Sequence, residues 1–160
     1  MKFNSDGLDK CSTLGIDLGG SNIRWVVSNE NTYGEVLKAQ APRNYDESLQ
    51  ILSEIILVAK ESNHITSVGI GLPGRTDPDK PIWIPNLTFL NQSNIGNDLF
   101  NRTGMPVTFI NDAQAALVGE VDFGAARGCR NAILVTLGTG IGGAIMIEGK
   151  IYVGHNGTAG

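Results

Sequence analysis

Two glycine-rich segments of this sequence have residue types suited to holding phosphate. The first, from Asp17 to Asn22, reads DLGGSN, and the second, from Thr136 to Gly143, reads TLGTGIGG. Glycine lets backbone N–H groups approach an anion closely, because no Cβ stands in the way. Both segments are therefore candidate phosphate-binding loops. The alternative for each is an ordinary hairpin turn.

The two loops also differ in what they offer. Asp17 ends an apolar stretch, and a carboxylate there could hold Mg²⁺ through water, since Mg²⁺ takes few protein ligands directly. Ser21 adds a hydroxyl donor. In the second loop, glycines at 138, 140, 142 and 143 would each cost about 0.5–1 kcal/mol relative to Ala in a plain strand. Close approach of a ligand accounts for them better than a flexible hairpin does.

Asp112 is the candidate general base. It follows Asn111 at the junction of a predicted strand and a predicted helix. A carboxylate in this place either caps the helix, by accepting from the amide of Gln114 or Ala115, or takes a proton from an attacking hydroxyl. The pattern alone leaves both interpretations open.

Composition and charge narrow the classes of function. The chain has 160 residues, 41% of them hydrophobic, and a net charge of -4, which gives no basic field for nucleic acid. The polar N-terminal residues do not resemble a signal peptide, and no stretch approaches the roughly 18–20 apolar residues of a membrane span. Cys11 and Cys129 are isolated from each other and from any histidine at ligand spacing. We therefore expect a cytoplasmic protein with no zinc site in these residues, no membrane and no nucleic acid partner.

Apolar periodicity predicts the elements that position these residues. An antiparallel meander of three strands is followed by a helix and then by alternating strands and helices, with a loop-rich stretch at 75–92. This order predicts an α/β fold with a mixed sheet covered by helices. The predicted strands are 12–17, 23–28, 33–39, 67–72, 106–111, 131–137, 142–147 and 151–153, and the predicted helices are 45–61, 94–103 and 113–121.

The first and last meanders share one layout. Residues 14–27 read LGIDLGGSNIRWVV and residues 134–147 read LVTLGTGIGGAIMI, each an apolar strand, a Leu-Gly turn and a second apolar strand. The repeat predicts one architecture used twice, with an N-terminal domain at 1–121 and the first meander of a second domain at 122–160. No helix follows the second meander, so we expect an uncovered apolar face. Its cover would come from residues beyond Gly160 in a longer parent, or from another chain such as a second copy.

Four motifs occur in an order that resembles the ROK family (repressor, open reading frame, kinase) of bacterial sugar kinases. The resemblance extends over nearly all of 14–160. It implies a ribonuclease H-like ATPase domain of the actin and hexokinase superfamily, plus the start of a second similar domain. The family usually has Thr and Lys where this chain has Ser21 and Asn22. The motifs are DLGGSNIR at 17–24, GLPG at 71–74, NDAQAALVGE at 111–120 and TLGTGIGGAI at 136–145.

The resemblance implies ATP-dependent phosphorylation of a hexose, either glucose-type or an amino sugar, with Mg²⁺. Asp112 would take the proton of the sugar hydroxyl as it attacks the γ-phosphate, and Asp17 would hold the metal. The two glycine loops would face each other with the ATP phosphates between them. The residues implied to bind ATP are Asp17, Leu18, Gly19, Gly20, Ser21, Asn22, Gly138, Thr139, Gly140, Ile141, Gly142 and Gly143. Those implied to bind sugar are Asn86, Asn111, Asp112, Gly71, Pro73, Gly74 and His155, the last as the start of the family's next sugar motif.

Several family motifs would lie after Gly160, namely a Glu, a Gly-His pair, a Cys-rich zinc motif and the adenine-binding segment. We therefore expect these 160 residues alone to have little or no kinase activity. Two alternatives remain open. One is a sugar-sensing transcription regulator of the same family without its DNA-binding domain. The other is a non-catalytic interaction module whose second meander pairs with another chain.

Overall fold

The computed structural model describes residues 12–29, 32–76, 82–137 and 141–159. Its helices are α1 (Tyr45–Asn63), α2 (Ile95–Thr103) and α3 (Asp112–Phe123), with a short 3-10 helix at Thr88–Leu90. Its strands are β1 (Ser12–Leu18), β2 (Asn22–Ser28), β3 (Leu37–Gln40), β4 (Ile65–Leu72), β5 (Val107–Asn111), β6 (Ala132–Leu137), β7 (Ile141–Ile147) and β8 (Lys150–Ile151).

The first five strands form one mixed sheet in the order β3-β2-β1-β4-β5. The three strands of the meander are antiparallel, whereas β4 and β5 run parallel to β1. Alternate residues of β1, such as Leu14 and Ile16, are buried with Ile70 of β4 against Ile56 of α1 and Leu99 of α2. The predicted α/β fold with a mixed sheet is confirmed.

The parallel pairing decides where the site lies. Strands β1, β4 and β5 all end at the same edge of the sheet, at Leu18, Leu72 and Asn111. In open α/β sheets, ligands bind in the crevice outside the carboxyl ends of the strands. The chain therefore brings Asp17, the loop after β4 and the start of α3 to one edge.

Several predicted boundaries differ from the structure by one to four residues. The third strand begins at Leu37, since Tyr33 forms only an isolated bridge to Ser28 and Gly34 donates to the carbonyl of Val27. Helix α1 extends to Asn63 and ends where His64 adopts a left-handed conformation with φ 50. The exposed His64 is thus the end of a helix, as predicted.

Asn44 and Asp46 both lie at the start of α1, and both are residue types that can cap a helix. Asn44 is the N-cap, and its side chain accepts a hydrogen bond from the amide of Glu47 at 2.9 Å. Asp46 lies within the first turn, where its negative charge complements the helix dipole.

The last three strands form a separate antiparallel sheet in the order β6-β7-β8. Helix α3 covers one face, where Ala113 and Leu117 pack with Ala144 and Met146. The other face exposes large apolar side chains. The expected lack of cover therefore holds for one face only, and α3 lies against both sheets. The division of the chain at 121 and 122 remains a prediction. The exposed side chains of this outer face are Ile133, Val135, Leu137, Ile141 and Ile147.

Two further expectations concern the cysteines and the membrane. Cys129 is exposed and forms no disulfide within the described residues, and Cys11 lies outside them. Of the helices in the described ranges, none combines the length and apolar character that crossing a bilayer requires.

Candidate active site

Asn111, and not Asp112, caps helix α3. The Asn111 Oδ1 atom accepts a hydrogen bond from the amide of Gln114 at 3.1 Å. Asp112 is the first helical residue, and its Oδ1 accepts a hydrogen bond from the neighbouring amide of Ala113, at 2.8 Å. The interpretation of Asp112 as the N-cap is therefore wrong. Its carboxylate is available for another task because the preceding residue satisfies the helix end.

The side-chain amide of Asn111 is used at both of its ends. Besides the cap made by Oδ1, Nδ2 donates a hydrogen bond to the carbonyl oxygen of Gly74 at 3.1 Å. Asn111 thereby joins the loop after β4 to the start of α3. Nδ2 carries a second N–H, and that donor could make the sugar contact predicted for this amide.

Asp112 opens onto a cleft of about 630 Å³, called here the main cleft. The cleft walls bring together a large part of the predicted site. Pro73 and Gly74 form part of one side, and β6 and β7 form the other. The predicted residues that line it are Pro73, Gly74, Asn111, Asp112, Ile141, Gly142 and Gly143.

A second cavity of about 550 Å³, called here the side cavity, reaches the first glycine loop. Asp17 and Gly71 line it together with Asp112 and Thr136. Asp112 and Thr136 belong to both cavities, so residues of both predicted phosphate loops lie around one carboxylate. That the two loops face each other with ATP phosphates between them stays a prediction.

The pKa of the Asp112 carboxyl is raised above its ordinary value. Partial burial between the sheet edge and α3 is the main cause, and the negative charge of Asp17 acts in the same direction. Hydrogen bonding to the backbone amide of Ala113 and to Asn111 opposes the increase. The side chain remains exposed toward the cleft, so solvent limits the effect.

The first glycine loop is a hairpin turn between β1 and β2. The amide of Gly19 donates to the carbonyl of Asn22 at 3.0 Å, and the carbonyl of Ser21 accepts from Ala41 at 3.2 Å. Gly20 and Ser21 are exposed, whereas Leu18 is fully buried. Leu18 can therefore contribute to a site only through its backbone.

Asp17 forms an ion pair with Arg24, with 3.2 Å between Oδ2 and the guanidinium Nη1. Both side chains are about half exposed, so this pair contributes little to stability, about 0–1 kcal/mol at most.

Part of the second loop has a packing reason for its glycines. A Cβ at Gly142 would lie 2.8 Å from Thr136 Oγ1, its cross-strand partner. A side chain at position 142 would therefore make Thr136 shift, which gives Gly142 a packing reason besides the close approach of a ligand predicted from the sequence. Gly138, Thr139 and Gly140 lie outside the described residues.

Three predicted sugar residues, Gly71, Asn86 and His155, do not line the main cleft, and Gly71 lines the side cavity instead. Asn86 is exposed, and its Cβ is 3.7 Å from the position of a Cβ built on Gly20, so it lies against the first glycine loop. His155 is exposed in the turn after β8, and the neighbouring Gly157, Thr158 and Ala159 line the cleft instead.

No group of three or more His, Cys, Asp or Glu side chains in the described ranges could hold a metal ion. Asp17 and Asp112 nevertheless line the same side cavity, and the charge of Asp17 disfavours ionisation of Asp112. Two carboxylates that repel each other beside a cavity suit a hydrated divalent cation, and Mg²⁺ commonly binds one or two carboxylates together with waters and substrate phosphates. The residues present thus fit Mg²⁺ held mainly through Asp17.

Several residues of the main cleft were not singled out from the sequence. Arg75 was interpreted as a surface or salt-bridging residue, yet it lines the cleft together with Trp83 and Pro85. Gln114 lines it as well and is buried. The sequence does hold one signal that could have identified these residues. Trp83 stands between two prolines, close to the segment Pro85-Asn86-Leu87, in a stretch that was predicted only as loop.

Comparison with known proteins settles the family. The model of the ROK family matches residues 13–160. The chain belongs to the ROK family. The ROK chain is 35% identical over 150 residues to a glucokinase of Streptomyces coelicolor, which covers 92% of this chain and 47% of the relative. It is 30% identical over 149 residues to an N-acetylgalactosamine kinase of a Shewanella species, covering 91% of this chain and 48% of the relative.

A solved structure supports the same fold. The ROK family glucokinase of Streptomyces griseus, crystallised with glucose and AMPPNP, has a TM-score of 0.82 and 32% identity, with 92% of this chain and 48% of that chain covered. This ROK chain therefore has the actin and hexokinase type of fold. It spans about half of the length of each of these relatives.

Proposed function

We propose that this ROK chain supplies the catalytic base, part of the acceptor pocket and the phosphate loops of an ATP-dependent hexose kinase. The acceptor class is glucose or an amino sugar, as the names of the relatives indicate. The observation that carries the proposal is the position of Asp112. It is exposed in the main cleft beside Pro73 and Gly74, and it shares the side cavity with Asp17 and Thr136.

Asp112 would act on the hydroxyl that attacks the phosphate. The sugar O–H proton passes to the Asp112 carboxylate as the sugar oxygen bonds to the γ-phosphorus, and the bond from that phosphorus to the β,γ-bridging oxygen breaks to release ADP. A raised pKa brings a carboxylate nearer to neutral pH, which makes it a better proton acceptor than an ordinary Asp. General base assistance of this kind contributes about 10²–10⁴-fold.

Positioning of the two substrates would contribute more to the rate acceleration than general base assistance does. Holding the hydroxyl in line with the phosphate is worth several kcal/mol, on the order of 7–11 in favourable cases. The bond from Asn111 to Gly74 fixes the acceptor loop relative to the base. The backbone amides of the exposed Gly20 and Ser21 in the first glycine loop are suited to donate hydrogen bonds to phosphate oxygens.

Asp17 would hold Mg²⁺ through water. When bound, that ion neutralises phosphate charge that would otherwise repel the attacking oxygen. Release of Asp17 from Arg24 is inexpensive because the pair is half exposed.

A chimera tests the proposal. We expect the 160 residues alone to show little turnover, so the chain is fused to the remaining half of the Streptomyces coelicolor glucokinase, and ADP release is measured with glucose and with N-acetylated hexosamines. Sugar-dependent turnover that Asp112→Asn lowers at least about 100-fold is expected. Equal turnover in the fused wild type and the Asp112→Asn variant would contradict the role of Asp112.

The same assay separates the two alternatives. A sugar-sensing regulator would bind the hexose without releasing ADP, and an interaction module would do neither. A cytoplasmic setting, where ATP is available, is part of the proposal.

A further inference from the structure

The main cleft is lined by both apolar and polar side chains. Trp83, Pro85 and Pro73 are among the apolar ones, and Asp112 and Gln114 are among the polar ones. Trp83 is 53% exposed, although it is among the largest apolar side chains of the protein. An exposed tryptophan on the wall of a pocket is a common element of ligand recognition, because it offers apolar area at a low entropic cost.

The direction of the Trp83 side chain follows from its neighbour. Ile84 is fully buried in the main core, and side chains alternate along an extended segment. Trp83 and Pro85 therefore lie on the opposite side from Ile84, and both line the cleft.

The backbone holds Trp83 firmly in this place. The amide of Arg75 donates to the carbonyl of Trp83 at 2.8 Å, and the amide of Trp83 donates to the carbonyl of Arg75 at 3.1 Å. The Trp83 carbonyl also occupies the space beside Gly74, only 2.3 Å from where a Cβ would lie. The indole is thus built onto the same loop that Asn111 joins to the base.

We propose that Trp83 is a specificity-determining residue that stacks on the C–H face of the acceptor ring and makes the cleft selective for pyranoses over open-chain polyols. The inference rests on the proposed function. A pyranose has an edge of hydroxyls and a face of C–H bonds with partial positive charge, and the face of an aromatic ring is negative. The apolar side chains that line the cleft suit the C–H face, and the polar side chains suit the hydroxyl edge. An open-chain polyol offers similar hydroxyls without a rigid face.

The test uses the 160-residue chain and two sugars, glucose and sorbitol, followed by ¹H–¹⁵N NMR at concentrations up to about 100 mM. The sequence has two tryptophans. The spectrum therefore holds two indole N–H signals, which Trp83→Phe assigns. Glucose is expected to shift the signal of Trp83 and the backbone amides of Gly74 and Asp112. The signal of Trp25, which is buried, is expected to stay in place.

Trp83→Ala is expected to weaken glucose binding about three- to tenfold and to leave sorbitol binding unchanged, so that the preference for glucose disappears. Trp83→Phe keeps an aromatic face and should retain most of the preference. Phe100→Ala is the matched control, since Phe100 on α2 is 50% exposed and does not line the main cleft.

The outcomes distinguish the two proposals. If glucose shifts the amide signal of Asp112, and Trp83→Ala binds glucose as tightly as wild type does, the stacking role is overturned and the proposed function stands. If glucose shifts no signal in wild type, the stacking role is overturned for this chain, whereas the proposed function is decided separately by ADP release from the chimera. If Trp83→Ala and Phe100→Ala weaken binding equally, the effect is not specific to the cleft and the stacking role is again overturned.

Discussion

The side-chain amide of Asn111 donates a hydrogen bond to the carbonyl oxygen of Gly74, with 3.1 Å between the two atoms. The two residues lie 37 positions apart in the sequence and at the ends of neighbouring parallel strands. One side chain thus closes the start of helix α3 and fastens the loop after β4. The residue that was expected to bind sugar through its amide is already committed to the architecture of the pocket.

Replacing Asn111 should therefore cost more than replacing an ordinary cap. Asn111→Ala removes both the cap and the bond to Gly74, and we expect a loss of about 1–2 kcal/mol in the free energy of unfolding, measured by urea denaturation. Asn94→Ala is the control, because Asn94 precedes α2 without a capping bond from its side chain. Equal losses in the two variants would show that the Asn111 bonds do not stabilise the fold.

The ionisation of Asp112 should make the protein less stable at neutral pH. Its pKa is higher in the folded chain than in the unfolded one, so its stabilising contribution is present below the ordinary carboxylate pKa of about 3.9 and is lost as the pH rises through the raised value. Asp112→Asn keeps the acceptor for Ala113 and removes the charge. We expect the variant to be more stable than wild type at pH 7, by roughly a few tenths of a kcal/mol after screening, and no more stable near pH 3. Thermal unfolding of both proteins across this pH range measures the stability difference. A gain in stability confined to low pH would mean that the pKa of Asp112 is lowered in the folded chain.

Asp17 should influence the titration of Asp112 through space. Asp17→Asn removes a negative charge that raises the pKa of Asp112, so that pKa should fall. Carboxyl ¹³C NMR titration reports it directly. Asp122→Asn, near the far end of α3, serves as the control and should leave the titration of Asp112 unchanged. An unchanged pKa in Asp17→Asn would mean that the two carboxylates do not share a cavity.

Two glycines near the site should respond differently to alanine. A Cβ at Gly74 would lie 2.3 Å from the backbone oxygen of Trp83 and 2.9 Å from the Cα of Ile84, so the backbone must move. A Cβ at Gly69 meets nothing within 4 Å. We expect Gly74→Ala to lower the free energy of unfolding by about 1–3 kcal/mol, and Gly69→Ala to be neutral or slightly stabilising. Chemical denaturation of both variants measures the two losses. A larger loss in Gly69→Ala than in Gly74→Ala would refute the assigned contacts.

The outer face of the small sheet should bind hydrophobic dyes. Val135 is 61% exposed on this face, whereas Leu134, next to it, packs toward α3. Val135→Thr keeps a β-branched side chain and should reduce the fluorescence of bound 8-anilinonaphthalene-1-sulfonate with little change in stability, within about 0.5 kcal/mol. Leu134→Thr should destabilise the chain. Unaltered dye binding in Val135→Thr would show that this face is not the exposed surface.

The fold could be predicted from the sequence because its signals are local. Buried apolar residues alternate with less buried ones at Leu14, Ile16 and Leu18, which marks a strand with one buried face. Helices between the later strands predict parallel strands, and the carboxyl ends of parallel strands lie together at the site. The mixed sheet was predicted correctly for this reason. The start of the third strand was not, since Tyr33 has strand propensity but meets only one partner residue.

Asp112, where a motif and a strand end coincide, was singled out from the sequence and lines the main cleft, and its role as the base stays a prediction. Site prediction failed where the role depends on a partner distant in sequence. Nothing near Asn111 indicates Gly74, and nothing near Gly142 indicates that a side chain there would meet Thr136. Trp83 and Arg75 reach the cleft through a backbone pairing within a loop-rich stretch, and periodicity does not report such pairing.

Helix α3 has its first residue at the edge of the large sheet and its body on the small sheet, where Leu117 meets Met146. We therefore expect the width of the main cleft and the orientation of the Asp112 carboxylate to change together. If the small sheet tilts, α3 should move with it and carry Asp112 at its first turn.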